Sequence, residues 1–189
     1  VMKSLKSKNI RLFNQMIINK CIISFCLLVL LAFPLSESIA RQQTPGTTIS
    51  LPKPDVSHGI PLNTALKSRR SHRRFSNKSI SLTELSQLLW SAQGVTHFFG
   101  FRTAPSAGAL YPLELYVVVN NVEQLSQGIY HYKPDSHELE LIIKGEYHKQ
   151  LAQAAGQSSI KKAAATFVIT AVIERTERKY GPRAKRYVH

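Results

Sequence analysis

The sequence predicts an α+β domain. Three observations carry this: strand-length runs of β-branched and apolar residues at 113–119 and 165–173, a hairpin pattern over 129–143, and one strongly marked helix ending at Gly94. These elements alternate irregularly, without the regular strand–helix repeat of a parallel α/β fold and without an internal repeat or heptad.

The first forty residues read as a targeting segment. Lys3, Lys6, Lys8, Arg11 and Lys20 precede an apolar run at 21–33, and Ser38-Ile39-Ala40 follows as a small-x-small cleavage site. Thirteen apolar residues fall short of the roughly 20 that span a membrane. A cleaved signal is therefore expected, with a membrane anchor as the alternative if Ile17 and Ile18 lengthen the run. Basic residues ahead of the apolar run put the N-terminus inside and the domain outside, so the expected location is exported, periplasmic or extracellular.

Both cysteines, Cys21 and Cys26, lie in that leader. A chain starting near Arg41 has no thiol, which excludes disulfides, thiolate metal sites and cysteine nucleophiles. From Arg41 onward, 20 Lys and Arg stand against 10 Asp and Glu, a net charge of +10. Such a balance favours anionic partners, phosphate-bearing cofactors among them.

Residues 41–59 hold Pro45, Gly46, Pro52 and Pro54 among short polar residues and are expected to be a linker, with the folded domain at 60–189. Asn63 is the expected N-cap of a short helix through Leu66. Ser81 and Glu84 form a capping box ahead of Leu82, Leu85, Leu88, Leu89 and Ala92, and Gly94 stops that helix. The run at 113–119 reads as a buried strand closed by Asn120-Asn121. Residues 129–132 and 138–143 flank the turn Pro134-Asp135-Ser136, with Glu138 and Glu140 alternating against Leu139 and Leu141, so the glutamates should face water. A second helical stretch includes 151–155, and 165–173 reads as another buried strand.

Two motifs carry chemistry. In Arg69-Arg70-Ser71-His72-Arg73-Arg74, residues 69, 71 and 73 alternate, so an extended backbone aims two guanidinium forks and a hydroxyl to one side, donors suited to a phosphate monoester. On composition alone the cluster suits a solvated basic face or a nucleic-acid patch equally well, but no stacking aromatics are interleaved with the arginines. In residues 103–112, TAPSAGALYP, small side chains between prolines let the backbone approach a flat ligand closely. The seven histidines show no metal-ligand spacing, and Trp90 is read as core.

The run RRSxRxF, then LxELxQLLWxAQG, APSAGALYPLELYVVV and GIYHYxP, in order over 52–189, resembles the nitroreductase-like family. The form SAGALYP, with Glu174-Arg175-Thr176, Lys179-Tyr180-Gly181 and Arg186-Tyr187, resembles its azoline-dehydrogenase (SagB-type) branch. The resemblance implies a homodimeric nitroreductase-like α+β fold with a mainly antiparallel central sheet flanked by helices. It also implies FMN at the subunit interface and two-electron chemistry there.

Carried over residue by residue, it gives Arg69, Arg70, Ser71 and Arg73 to the FMN phosphate and ribityl chain. Pro105, Ser106, Ala107 and Gly108 fall to the flavin ring, and Lys179 with Tyr180 to proton removal from a heterocycle. A lysine serves as a base only where burial or neighbouring cations favour its neutral form, and Arg175, Arg178 and Arg183 are near in sequence. On composition alone, residues 175–186 equally suit a basic surface loop.

The branch continues past Tyr187-Val188-His189 into a further helix and strand, so the domain is expected to be incomplete at its C-terminus. The implied activity is azoline-to-azole oxidation of a small-molecule or peptide heterocycle, or NAD(P)H-dependent reduction of a nitro or quinone compound. No nucleic-acid partner is expected, and membrane contact is expected only through the N-terminal segment. The competing readings are a basic exported protein binding anionic polymers and a flavin-binding remnant without turnover.

Overall fold

Alternation at period two builds a single antiparallel sheet. In the computed structural model, which describes residues 43–188, strands β1 (Thr48–Ser50), β2 (Leu113–Val119), β3 (Gly128–Lys133), β4 (Glu138–Lys144) and β5 (Ala165–Ala171) lie in the order β1-β4-β3-β2-β5. Every pairing is antiparallel, as expected. Leu115, Val117 and Val119 of β2, Tyr130 and Tyr132 of β3, and Leu139 and Leu141 of β4 are all buried and form one core cluster. Glu138 and Glu140 occupy the alternate positions of β4, as the pattern requires.

Helix α1 (Leu62–Ser68) precedes α2 (Leu82–Gln93), and α2 covers the core face of the sheet. Positions i and i+4 share a helix face, so Leu85 and Leu89 are both fully buried there. Leu88 falls outside that stripe and is 51% exposed. The capping box closes in both directions: the Glu84 amide donates to Ser81 Oγ at 3.2 Å and the Ser81 amide donates to Glu84 Oε2 at 2.7 Å. Ser81→Ala should destabilise the fold by about 1 kcal/mol; a denaturant midpoint equal to that of the unsubstituted protein would contradict this.

Helix α3 (His148–Ala154) lies over the other sheet face, where Leu151 shares an apolar groove of about 480 Å³ with Tyr116, Val118, Ile129 and Val168. Helix α4 (Glu174–Tyr180) follows β5 and runs into a 3-10 segment, Gly181–Tyr187.

Three expectations need correction. The linker composition of 41–59 conceals β1, which pairs with the free side of β4, and Leu51, which joins the core. Gln43 is also buried, with its Oε1 accepting from Tyr130 Oη at 2.7 Å and from the Ser126 amide at 3.0 Å. The folded part thus begins well before residue 60. Pro61, not Asn63, is the N-cap of α1, because proline's fixed φ already suits a helix start. The run at 165–173 is not a buried strand: among the described residues β5 has only β2 as neighbour, ends at Ala171 and leaves Ile169 64% exposed. The second helical stretch, expected to include 151–155, is α3. The leader at 1–40 lies outside the described residues.

Candidate functional site

The loop between α2 and β2 is built from strained backbone held by polar contacts. Gly94 ends α2, and its carbonyl accepts from the Thr103 amide at 2.9 Å, closing the excursion at 95–102. Past Ser106 the chain turns through positive φ at Gly108 (65°), Ala109 (55°) and Tyr111 (44°). A non-glycine residue in that region costs about 1–3 kcal/mol and persists only where its surroundings hold it. Here the Tyr111 amide donates to Ser106 Oγ at 2.9 Å, and the Arg102 amide donates to Tyr111 Oη at 3.2 Å. The Arg102 guanidinium lies 4.7 Å from the centre of the Tyr111 ring.

Helix α4 docks on this turn. The Val172 amide donates to the Pro112 carbonyl at 2.8 Å, and Arg175 Nη1 donates to the Tyr111 carbonyl at 2.9 Å. At the far end of α4, Lys179 and Tyr180 close over Gly108. A Cβ added at Gly108 would lie 2.8 Å from Lys179 Nζ and 3.1 Å from Tyr180 Oη, so glycine is what admits them. Tyr180 in turn stacks on Tyr187 with centroids 4.3 Å apart.

A cleft of about 550 Å³ opens beside this junction. It is lined by Pro105, Ser106, Ala107 and Tyr111 of the loop, by Arg186, Tyr187 and Val188 of the C-terminal segment, and by Gln93 at the end of α2. Small residues, one aromatic side chain from each of these two segments and a cation make it suited to a flat, partly polar ligand.

Beneath the turn, Glu114 on β2 meets a guanidinium and an imidazole. Arg175 Nη1 lies 2.5 Å from its Oε1, and His131 Nε2 of β3 contacts its Oε2. The Glu114 side chain is only 15% exposed. Burial pushes its carboxyl up, but hydrogen bonds from His131 and Arg175 outweigh that and hold it below the ordinary glutamate value. The His131 ring also stacks on Tyr116, with centroids 4.6 Å apart.

The sequence-derived residues thus fall into two groups. Pro105, Ser106, Ala107 and Gly108 come together with Lys179 and Tyr180. Arg69, Arg70, Ser71 and Arg73 are exposed on the extended segment after α1 and do not line that cleft. Arg70 Nη1 folds back onto the Lys67 and Arg69 carbonyls, at 3.0 and 2.8 Å, whereas Arg69 and Arg73 have no carboxylate partner among the described residues. Sequence reasoning missed Glu114, Tyr111 and Arg186. A lone charge in the apolar run LELYVVV was the available signal for Glu114.

This chain resembles several known proteins over most of its length. The family model described as the nitroreductase family matches residues 66–189. A Methanocaldococcus jannaschii protein named as a nitroreductase is 43% identical over 145 residues, 76% of this chain and 73% of that protein. A solved structure from Ralstonia eutropha, also named as a nitroreductase, superposes with a TM-score of 0.63 at 31% identity, covering 74% of this chain and 63% of that one. A chain of the Escherichia coli microcin synthetase McbBCD complex, solved with truncated pro-MccB17 bound, gives a TM-score of 0.51 at 25% identity, covering 82% of this chain and 62% of that one. This chain therefore spans somewhat under two thirds of the length of those solved relatives. With an antiparallel sheet, a small-residue loop entering its strand β2 and a family match across well over half of its residues, the chain belongs to the nitroreductase family.

Proposed function

We propose that this nitroreductase-family oxidoreductase binds FMN and oxidises an azoline ring, on a peptide or small molecule, to the azole. The observation that carries this reading is the closure of Lys179 and Tyr180 over Gly108, which puts a proton-accepting pair against the loop expected to face a flavin.

The residues fit the cofactor. FMN joins a flat ring to a phosphate bearing close to two negative charges. The cleft beside residues 105–108 offers a surface of small side chains, and Arg69 and Arg73 offer guanidinium groups without a carboxylate partner among the described residues. Bound there, FMN supplies the acceptor for the hydride that leaves the azoline carbon. Lys179 and Tyr180 take the ring proton that must leave with it, Tyr187 backs the Tyr180 ring, and Arg186 adds a cation beside the cleft.

The arginine segment and the cleft are separate in one chain, and residues 53–79 include no buried side chain. We therefore place the arginines of one protomer toward the cleft of a second copy, making the active form a homodimer. The names of the M. jannaschii and R. eutropha proteins favour a second reading, NAD(P)H-dependent reduction of a nitro or quinone compound at the same site. Family membership argues against a protein that only binds anionic polymers. The expected location remains outside the cytoplasm, through the N-terminal segment.

The test is the visible absorption spectrum of the protein purified at its native full length. Paired near-ultraviolet and blue bands, followed by loss of two hydrogens from a thiazoline-bearing peptide, are the expected result. A folded protein that stays colourless with added FMN would end the flavin reading, and a coloured one without turnover on thiazoline, nitroaromatic or quinone would be a remnant.

A further inference from the structure

Glu114 is the only charged residue of β2, yet its side chain lies where three elements meet. Its two carboxylate oxygens are taken separately, Oε1 by Arg175 of α4 and Oε2 by His131 of β3. His131 does not turn to Glu114 for want of another carboxylate nearby: it is the register partner of Glu140 on β4, and Glu140 pairs with Lys133 at 2.9 Å. The Nη1 that meets Glu114 is the same nitrogen that donates to the Tyr111 carbonyl at 2.9 Å.

That shared nitrogen is what links the carboxylate to the candidate site. Tyr111 holds a φ of 44°, outside the range a tyrosine adopts by itself, and its carbonyl must be pinned for the turn to keep its shape. Arg175 also lies in the first turn of α4, whose last turn carries Lys179 and Tyr180. Fixing one guanidinium therefore fixes two things at once: the turn that forms the cleft wall and the helix that delivers the proton-accepting pair to Gly108. The two hydrogens of Nη1 point in directions fixed by the guanidinium plane, so this one nitrogen can serve the carboxylate and the carbonyl at once, whereas a freely rotating ammonium fixes neither direction.

We infer that Glu114 is a positioning residue: it orients Arg175 so that the Tyr111 turn and α4 are locked to each other, setting Lys179 and Tyr180 against Gly108. The inference rests on the function proposed above for Lys179 and Tyr180. An ion cluster that merely stabilises the fold would lose stability when cut, with turnover per folded, flavin-loaded molecule unchanged.

The test compares the full-length holoenzyme with Glu114→Gln and Arg175→Lys, singly and together. On a peptide carrying one thiazoline ring, each single variant should lose roughly 10- to 100-fold in kcat, as displacement of reacting groups by about an ångström does. KM and flavin content should be unchanged, and the double variant should be little worse than either single one, because both cut the same link. Hydrogen exchange should rise together at amides 108–111 and 174–180 and stay unchanged in β3 and β4. Unchanged kcat, additive losses, or exchange unaltered at both segments would each overturn the inference. If the unsubstituted enzyme turns over no azoline, the function proposed above fails, and the exchange comparison still decides whether the lock exists. Should Glu114→Gln fail to fold, Arg175→Lys carries the same comparison, since it keeps an ion-pair partner and removes the fixed plane of the guanidinium.

Discussion

Replacing Arg69 and Arg73 together by alanine should strip FMN from the protein while leaving its fold intact. Both side chains are exposed, and neither has a carboxylate partner among the described residues, so their removal breaks no ion pair seen there. Toward a phosphate the same groups are worth far more, because charge-assisted hydrogen bonds contribute about 1.5–3 kcal/mol each. Two of them amount to about 3–6 kcal/mol, or roughly 10²- to 10⁴-fold in affinity. Titration of FMN fluorescence against the variant measures this directly. Arg70→Ala makes the internal control: its Nη1 is already engaged by the Lys67 and Arg69 carbonyls, so its loss should weaken FMN much less. Equal losses for Arg70→Ala and for either Arg69 or Arg73 would mean that the cluster acts as undirected positive charge. Undamaged FMN affinity in the double variant would remove the phosphate assignment altogether.

What the sequence reveals and what it conceals divide along the range of the forces involved. Strand β2 and the capped helix α2 are legible because period-two burial and the Ser81–Glu84 box are local patterns, resolved within a few residues. Strand β1 is not, because a three-residue edge strand among prolines has no pattern of its own and forms only when β4 offers it a free edge. Strand β5 misleads in the opposite direction: its β-branched run promises two covered faces, yet Ile169 is exposed and, among the described residues, only β2 pairs with it. Burial of a strand depends on what packs against it, and that information lies elsewhere in the chain.

The candidate site divides in the same way. Its parts are legible as motifs, since small residues between prolines and alternating arginines each have a local chemical meaning. Their assembly is not. Contact between Gly108 and Lys179 joins residues that precede β2 and follow β5, far apart in sequence, and it depends on α4 being tied to Tyr111 by an arginine that sequence reading treated as part of a motif and as a neighbouring cation. Glu114 is the clearest case, because a single glutamate in an apolar strand announces that something must compensate it without saying that His131 and Arg175 do.

Lys179→Ala should abolish azoline oxidation while sparing nitro or quinone reduction. Oxidation of an azoline removes a proton from carbon as well as a hydride, and a positioned base in such a step contributes about 10²–10⁴-fold. Reduction of a nitro group or a quinone draws its protons onto oxygen, where water suffices, so the same truncation should cost it little. Comparing the two rates on one preparation separates the role of Lys179 from any loss of flavin, which would lower both. Tyr180→Phe refines the result: it keeps the ring stacked on Tyr187 at 4.3 Å and removes only the hydroxyl that lies against Gly108. If Lys179→Ala is silent and Tyr180→Phe is not, the phenol is the group that accepts the proton, and the lysine, 5.7 Å from the centre of the Tyr180 ring, takes no part in the step. If both are silent, proton removal belongs to another group, and Arg186 and Tyr187 in the cleft are left as binding surface alone.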